Sequence, residues 1–445
     1  MRSRPLCRYS ALLLLWISLF VSCAGSCTDK EATSTYLYQQ AESHIAAGEY
    51  TAAEALYQSA RQAYPNDFLP AYRMAQLYQQ WGRPEAGLRA LEDAIRNGLP
   101  AEKAEAAQSL RLTLLAQAGT WEQVAAEAET MSPDAHTLEL LTRAHLQRYE
   151  CAAARHSAEQ WCDRASEEHK KASARISGLL ADDPTRICTA DADLCALLAT
   201  CSDDPSACDA EIGRALLRAG DWGLAACVLT RAVAAHPASA EVHAWLGESL
   251  NRLGQTTAAR EHLERAVELA PDSAQPWLLL GMHDLQQGRL DIAKSELLRA
   301  QRLDPGNPAP CLAMAELKAQ RGNYDEVNLW VEAALARAPT DADLWKAAAR
   351  LYLERRLRQP PYPLEAAAGA VTLAPDDAEA HLLLGWARFE RTEPSAALDA
   401  LDVAVELAPD LGHAYYLRGQ IQQTLGNPEA AQADFTRAAD LGYFP

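Results

Sequence analysis

Small and apolar residues recur along most of the chain with a period of 34 residues. Seven consecutive segments begin at Ser206, Ala240, Ala274, Pro308, Ala342, Ala378 and Gly412, and only the fifth is longer, by two residues. Each segment predicts two helices of about 12 to 15 residues joined by a tight turn. One such pair of helices cannot bury its apolar face alone, so neighbouring pairs are expected to stack.

The recurring residue types explain how two such helices can pack. The eighth place of each segment holds a small residue: Gly213, Gly247, Gly281, Ala315, Ala349, Gly385 and Gly419. The twentieth place is small or compact in six segments, and a proline closes five of them. Small residues let the two helices cross closely. A glycine after the first helix allows the chain to reverse, at Gly220, Gly254, Gly288, Gly322 and Gly426.

This pattern resembles the tetratricopeptide repeat (TPR). The resemblance implies an all-α fold, a TPR helix-hairpin solenoid wound as a right-handed superhelix. The same unit lies at 34–67 and 68–101, with a shortened copy at 105–133, and the pattern blurs from 134 to 181. We count about nine clear and two degenerate repeats.

Five parts are predicted along the chain. They are a lipoprotein-type signal peptide (1–22), a flexible linker after a lipidated cysteine (23–33), an N-terminal TPR block (34–164), a Cys-rich helical break (165–205) and a C-terminal TPR block of seven repeats (206–445).

The two extra residues of the fifth repeat follow Arg355, Arg356 and Arg358 in a proline-rich stretch. This stretch predicts a rigid, lengthened loop, and a basic contact patch is the alternative.

The first 24 residues have the layout of an export signal. Arg2, Arg4 and Arg8 precede an apolar stretch at 11–20, which is too short to span a bilayer comfortably. Val21, Ser22 and Cys23 then resemble the bacterial lipobox, although Phe20 stands where leucine is usual. The resemblance predicts acylation of Cys23 and a membrane-anchored envelope protein, in the outer membrane if the cell is Gram-negative. Ordinary cleavage after Ala24, which would release a periplasmic protein, is the main alternative, and an uncut anchor helix is another.

The charge of the chain limits its partners. The sequence has 60 acidic and 41 basic side chains, giving a formal net charge of -19. Such a surface repels the phosphates of nucleic acids and anionic lipid headgroups. The sequence therefore predicts no nucleic-acid partner, and it predicts that lipid, rather than charge, holds the protein at a membrane.

Six cysteines crowd into the stretch where the repeat degrades: Cys151, Cys162, Cys188, Cys195, Cys201 and Cys208. In an exported protein such a cluster favours disulfides. Two antiparallel helices could pair Cys188 with Cys208 and Cys195 with Cys201, and other connectivities stay open. Zinc is the alternative, but the short C-x₂-C spacing is absent, so no metal is predicted. Cys227 and Cys311 fall inside repeats and are expected to be small core residues.

In the TPR family, places 2, 5, 9, 12 and 13 of each first helix line a concave groove. Carried over to the last three repeats, these places give the candidate partner-binding residues Lys346, Arg350, Leu382, Trp386, Phe389, Tyr416 and Gln420. In the first two repeats of the C-terminal block they give Arg214, Arg218, Glu248, Asn251 and Arg252. Lys346 and Arg350 could meet an acidic peptide group or pair with neighbours such as Asp343 or Glu354. The aromatic residues could form an apolar shelf for a peptide or pack within the superhelix.

Catalytic motifs are not found in the sequence. It has no glycine-rich phosphate loop, G-x-S-x-G, H-E-x-x-H or C-x-x-C element. We therefore expect a non-catalytic envelope scaffold that binds protein partners through its groove, without a cofactor or small-molecule substrate. The alternatives are a soluble periplasmic adaptor and an accessory subunit of a pilus, secretion or exopolysaccharide apparatus.

Overall fold

The structure, a computed structural model, describes residues 27–181, 187, 191, 205–357 and 362–444. Over these residues it contains 23 α-helices, one short 3₁₀ helix and no strand. None of the helices described is both long and apolar enough to cross a membrane. The predicted all-α helix-hairpin fold is confirmed.

Four helical hairpins and a ninth helix come first along the chain. They are α1 (Cys27–Ala46) and α2 (Tyr50–Ala63), α3 (Phe68–Gln80) and α4 (Pro84–Arg96), α5 (Ala104–Gln117) and α6 (Trp121–Ala128), α7 (Ala135–Gln147) and α8 (Cys151–Arg164), then α9 (Lys170–Ala181). The first helix begins at Cys27, within the segment 23–33.

Seven further hairpins follow in the order that the 34-residue period predicts. They are α10 (Pro205–Arg218) and α11 (Trp222–Ala235), α12 (Ala240–Arg252) and α13 (Thr256–Leu269), α14 (Ala274–Gln286) and α15 (Leu290–Leu303), α16 (Ala309–Gln320) and α17 (Tyr324–Leu335), α18 (Ala342–Glu354) and α19 (Tyr362–Leu373), α20 (Ala378–Glu390) and α21 (Pro394–Leu407), α22 (Gly412–Thr424) and α23 (Pro428–Asp440). Consecutive first helices, such as α20 and α22, pack directly against each other.

Small residues lie where the two helices of a hairpin cross. A Cβ atom added to Gly247 would lie 2.6 Å from the Leu263 side chain, and one on Gly385 would lie 2.6 Å from that of Leu401. Ala259, at the twentieth place of its repeat, is fully buried. The hairpins therefore need small residues at these places to reach their close packing.

The turn after the first helix requires a left-handed backbone. Gly254 has φ +73° there, with no neighbour within 4 Å of an added Cβ, so it serves conformation rather than packing. The fifth and sixth repeats lack this glycine and hold Arg356 (φ 51°) and Thr392 (φ 61°) in the same backbone region. These two repeats carry a local strain that the others avoid.

The chain forms two compact units, which divide between Ala107 and Gln108. In the second unit, α9 belongs to the same core as the hairpins on either side of it. Leu179 of α9, which is fully buried, packs in one cluster with Ala158 of α8 and Leu229 of α11. This part of the predicted break is thus a packed element of the array.

Candidate functional site

The aromatic residues predicted to bind a partner lie on α20 and α22, the first helices of the last two repeats. Trp386 and Phe389 are half-buried and pack against the core formed by Leu401, Leu417 and neighbouring residues. Leu382 differs from the expectation, because it is 5% exposed and forms part of that core. The Leu382 side chain packs against Leu401 and Leu417, between α20, α21 and α22, so it offers a partner almost no surface.

Tyr416 lies at the centre of this region. Its ring contacts the rings of Phe435 and Tyr443, with centroids 5.6 Å and 5.5 Å away. The Gln420 side chain donates a hydrogen bond of 3.0 Å to the Tyr416 hydroxyl. The predicted residues Tyr416 and Gln420 are therefore joined to each other and fixed in orientation.

Two aromatic-type residues that the sequence reasoning did not select complete the cluster. The His413 ring stacks on Tyr443 at 4.8 Å and meets the edge of Trp386 at 5.5 Å. Burial lowers the pKa of His413, so it is a neutral ring at pH 7. His413 occupies the second place of its repeat, which is a groove place, whereas Tyr443 follows the repeat and no spacing rule selects it. We call Trp386, Phe389, His413, Tyr416 and Tyr443 the aromatic shelf.

Lys346 is engaged with acidic side chains around it. Its ammonium donates to Asp377 at 2.6 Å and to Asp343 at 2.9 Å, and it lies 3.5 Å from Glu379. The hydrogen bonds to Asp377 and Asp343 raise the pKa of Lys346. Pairing with Asp343, one of the two alternatives from the sequence, is what the structure shows.

Arg350 is paired as well. Its guanidinium bonds to Glu379, on the first helix of the following repeat, and not to Glu354 on its own helix. Lys346 and Arg350 therefore join α18 to α20, and their charges are already compensated within the protein. In the same way, Arg355 of the lengthened loop bonds to Glu316 of α16. Arg358 and the two prolines at 360–361 lie outside the described residues.

One cysteine contact departs from the sequence interpretation. The sulfur atoms of Cys151, at the start of α8, and Cys227, in α11, lie 2.09 Å apart. Cys227 was expected to be a core residue without a partner, and it is 3% exposed, as expected. It nevertheless faces Cys151, because α11 packs beside α7, the helix that precedes Cys151. Gly223 permits this approach, since a Cβ there would lie 2.7 Å from the Leu146 carbonyl oxygen.

The other cysteines differ in their surroundings. Cys162 is half-buried, and Cys208 and Cys311 are buried. Cys23, Cys188, Cys195 and Cys201 lie outside the described residues, so the predicted lipidation and the predicted pairs Cys188–Cys208 and Cys195–Cys201 stay predictions. No group of three metal-binding side chains is found in the part of the chain that the structure describes.

Known repeat families match much of the sequence. Models described as tetratricopeptide repeat match residues 211–274, 249–308 and 364–411, residues 284–351, residues 412–441 and residues 35–67. Together these matches cover more than half of the chain. No curated protein sequence matches it.

Solved structures of similar fold are found at low sequence identity. Yeast Tom70 is 14% identical with a TM-score of 0.45, over 93% of this chain and 92% of that one. Cut9–Hcn1 of the APC/C is 14% identical with a TM-score of 0.38, over 97% and 96%. PilF of Pseudomonas aeruginosa is 16% identical with a TM-score of 0.37, over 44% and 88%. On the repeat matches, this chain belongs to the tetratricopeptide repeat family.

Proposed function

We propose that this protein is a non-catalytic scaffold of the cell envelope that binds segments of partner proteins. The aromatic shelf carries the proposal. Trp386, Phe389 and Tyr416 remain half-exposed on neighbouring first helices, and His413 beside them is neutral. Aromatic side chains with part of their surface open give large contact area at low entropic cost, which suits the binding of a protein segment.

The shelf is rigid as well as apolar. Gln420 fixes the Tyr416 hydroxyl, and Tyr443 holds both His413 and Tyr416 through ring contacts. A surface that is ordered before binding loses less side-chain entropy when a partner arrives. We therefore infer that a partner segment lies along the concave side of α20 and α22 and inserts apolar side chains between these rings.

The proposal includes a lipid anchor at Cys23. Its support is the sequence alone: three arginines, an apolar stretch and the Val21-Ser22-Cys23 motif. The adjacent sulfur atoms of Cys151 and Cys227 agree with export, since disulfides persist in oxidising compartments. If Cys23 is acylated, globomycin should block maturation and the precursor should accumulate. Normal maturation in its presence would favour the soluble periplasmic adaptor.

In-cell crosslinking of the membrane fraction followed by mass spectrometry tests partner binding. Wild type is compared with Trp386→Ala/Phe389→Ala and with a matched control, Tyr324→Ala/Leu329→Ala. The control removes exposed apolar side chains from α17, outside the shelf, where Tyr324 is 51% and Leu329 is 65% exposed. We expect one dominant protein partner that is lost only in the shelf variant. A partner list that is empty, or equal in all three proteins, would refute the shelf as a binding site.

A further inference from the structure

The last residue of the first helix changes charge over the first six repeats of the C-terminal block, and the seventh, α22, ends at the neutral Thr424. Helices α10, α12, α14, α16, α18 and α20 end at Arg218, Arg252, Gln286, Gln320, Glu354 and Glu390. All six side chains are exposed. Over these six repeats the row runs from basic through neutral to acidic, and its two positive residues are Arg218 and Arg252.

The fold does not require arginine at this place. A cation is favoured at a helix C-terminus, where the helix dipole is negative, by about 0.3 to 1 kcal/mol. Glu354 and Glu390 nevertheless occupy the same place against that preference. The charge at the end of a first helix is therefore free to vary, and the two consecutive arginines need a further reason.

The charges of these two arginines are not compensated by an ion pair. Lys346 and Arg350 bond to carboxylates, and Arg214, near Arg218, bonds to Glu211. Neither Arg218 nor Arg252 is within ion-pair distance of a carboxylate in the described residues. This makes them exceptional among the groove cations of a chain with net charge -19.

Arg252 is held by an aromatic ring instead. Its guanidinium lies over the Trp222 ring, 5.3 Å from the centroid. A cation held on a ring keeps its charge and its hydrogen-bond donors for another group. Glu248 lies one turn earlier on α12, and burial raises the pKa of its carboxyl although Arg252 lowers it.

The spacing of the arginines fits a polypeptide. Helices α10 and α12 pack against each other, so equivalent places on them are separated by about 8 to 10 Å. Residues in an extended chain rise about 3.3 Å each, so two acidic side chains two or three residues apart can reach both arginines. A flat anionic membrane would instead bring the many carboxylates of this protein against its headgroups, so we favour a single acidic segment.

We propose that Arg218, Arg252 and Trp222 form a docking surface for an acidic segment of a partner protein. The inference rests on the scaffold function proposed above, and it assigns a second contact in the first two repeats of the C-terminal block, away from the aromatic shelf in the last two. The acidic segment binds through charge-assisted hydrogen bonds from the two guanidinium groups. The acidic surface elsewhere on the protein repels the acidic segment and so directs it to Arg218 and Arg252.

Fluorescence anisotropy with a labelled deca-glutamate peptide tests the docking surface on the full chain. The variant is Arg218→Gln/Arg252→Gln, because glutamine already ends α14 and α16 and is compatible with the fold. The control is Arg265→Gln/Arg302→Gln, which removes the same charge from exposed arginines of the second helices α13 and α15. We expect salt-sensitive binding that weakens about tenfold or more in the variant and is unchanged in the control.

Three results would overturn the inference. They are equal peptide binding by all three proteins, no peptide binding at low salt, and Arg-dependent binding to phosphatidylglycerol vesicles without peptide binding. The outcome is separable from that of the scaffold function. If crosslinking finds a partner that depends on Trp386 and Phe389 but not on Arg218 and Arg252, the scaffold stands and the acidic docking surface is wrong. If it finds no partner at all, the scaffold function fails.

Discussion

Lys346 of α18 donates a 2.6 Å hydrogen bond to Asp377, the carboxylate that caps the start of α20. Asp377 also accepts from the backbone N–H groups of Glu379 at 2.8 Å and Ala380 at 3.2 Å. One carboxylate therefore satisfies a helix N-terminus and a cation from the preceding repeat. The contact joins two successive repeats through their first helices, so it supports the array rather than a ligand.

Replacing Lys346 by methionine should lower the free energy of unfolding by about 1 to 2 kcal/mol, because charge-assisted hydrogen bonds to a partly buried carboxylate are lost. Urea denaturation at neutral pH measures this. Arg265→Met, which removes an exposed pair with Glu268, should cost less than about 0.5 kcal/mol. Equal losses in both variants would contradict the special role of Lys346.

The same contact has a pH dependence of known sign. Burial opposes the ionisation of Asp377, but hydrogen bonds from Lys346 and the Ala380 N–H lower its pKa below the usual 3.8. A lowered folded pKa gives stability that is present above the unfolded value and lost as the pH falls through the folded value. The difference between wild type and Lys346→Met should thus be constant above about pH 5 and shrink below about pH 4.

Thr392 holds a turn position that glycine fills in five other repeats of this block. It is exposed, with φ 61°, and its N–H bonds to the Phe389 carbonyl at 2.9 Å. Thr392→Gly should stabilise the protein by about 0.5 to 1 kcal/mol, since the left-handed strain of a β-branched residue exceeds the entropic cost of glycine. Thermal unfolding measures the gain. Gly254→Thr is the reverse experiment and should destabilise; a loss of stability in both variants would contradict the argument.

The sequence predicted the hairpins well because their causes are local. Gly254 and Ala259 lie within one repeat, and their spacing alone indicates the turn and the crossing. The hydrogen bond from Lys346 to Asp377 could not be predicted in this way, because Asp377 lies 31 residues further along the chain. Pairing with Asp343, three residues away, was the one contact within reach of sequence reasoning.

The cysteine contact and the full aromatic shelf were missed for a similar reason. Cys227 meets Cys151 only because α11 packs beside α7, and the two cysteines are 76 residues apart in the chain. Tyr443 reaches His413 because the chain turns back after α23, and the recurring places of the repeat do not include position 443. Periodicity predicts contacts within the repeat, and it fails where the repeat stops.

Loss of the Cys151–Cys227 link should destabilise the second unit strongly. A bridge that closes a loop of 76 residues restricts the unfolded chain and contributes about 4 kcal/mol in the loop-entropy description. Cys151→Ser/Cys227→Ser should therefore unfold at clearly lower urea concentration, and reduction of the wild type should have the same effect. Cys162→Ser is the control and should change little, since Cys162 has no sulfur partner among the described residues.

Peptide mapping under non-reducing conditions checks the same link directly. Mass spectrometry of the alkylated protein, purified from cells, should recover the peptides that contain Cys151 and Cys227 as one crosslinked species. Alkylation of both residues without prior reduction would contradict the pairing. It would also remove one argument for export, because an unbridged pair is what a reducing compartment produces.

Glu296 of α15 is buried in a cluster of charged groups that leaves it unsatisfied. It is 6% exposed, and its Oε2 atom has no hydrogen-bond partner. Asp284, which is fully buried, takes the hydrogen bonds of Arg260 at 2.8 Å and Arg289 at 2.6 Å. Burial first, and then the negative charge of Asp284, raise the pKa of Glu296 to about 8.

This raised pKa makes the protein less stable as the pH rises. Between the unfolded value of 4.5 and the folded value of about 8, the folded state binds one more proton at Glu296 than the unfolded state does. Stability therefore falls with rising pH over that interval. Glu296→Gln keeps the shape of the protonated side chain without this cost. We expect almost no effect at pH 4.5 and a gain of about 1 to 2 kcal/mol at pH 8, measured by urea denaturation. The control is Glu264→Gln, which changes a half-exposed partner of Arg260; its effect on stability should not grow between pH 4.5 and pH 8. An effect of Glu296→Gln that is equal at both pH values would contradict the neutral, buried state of Glu296.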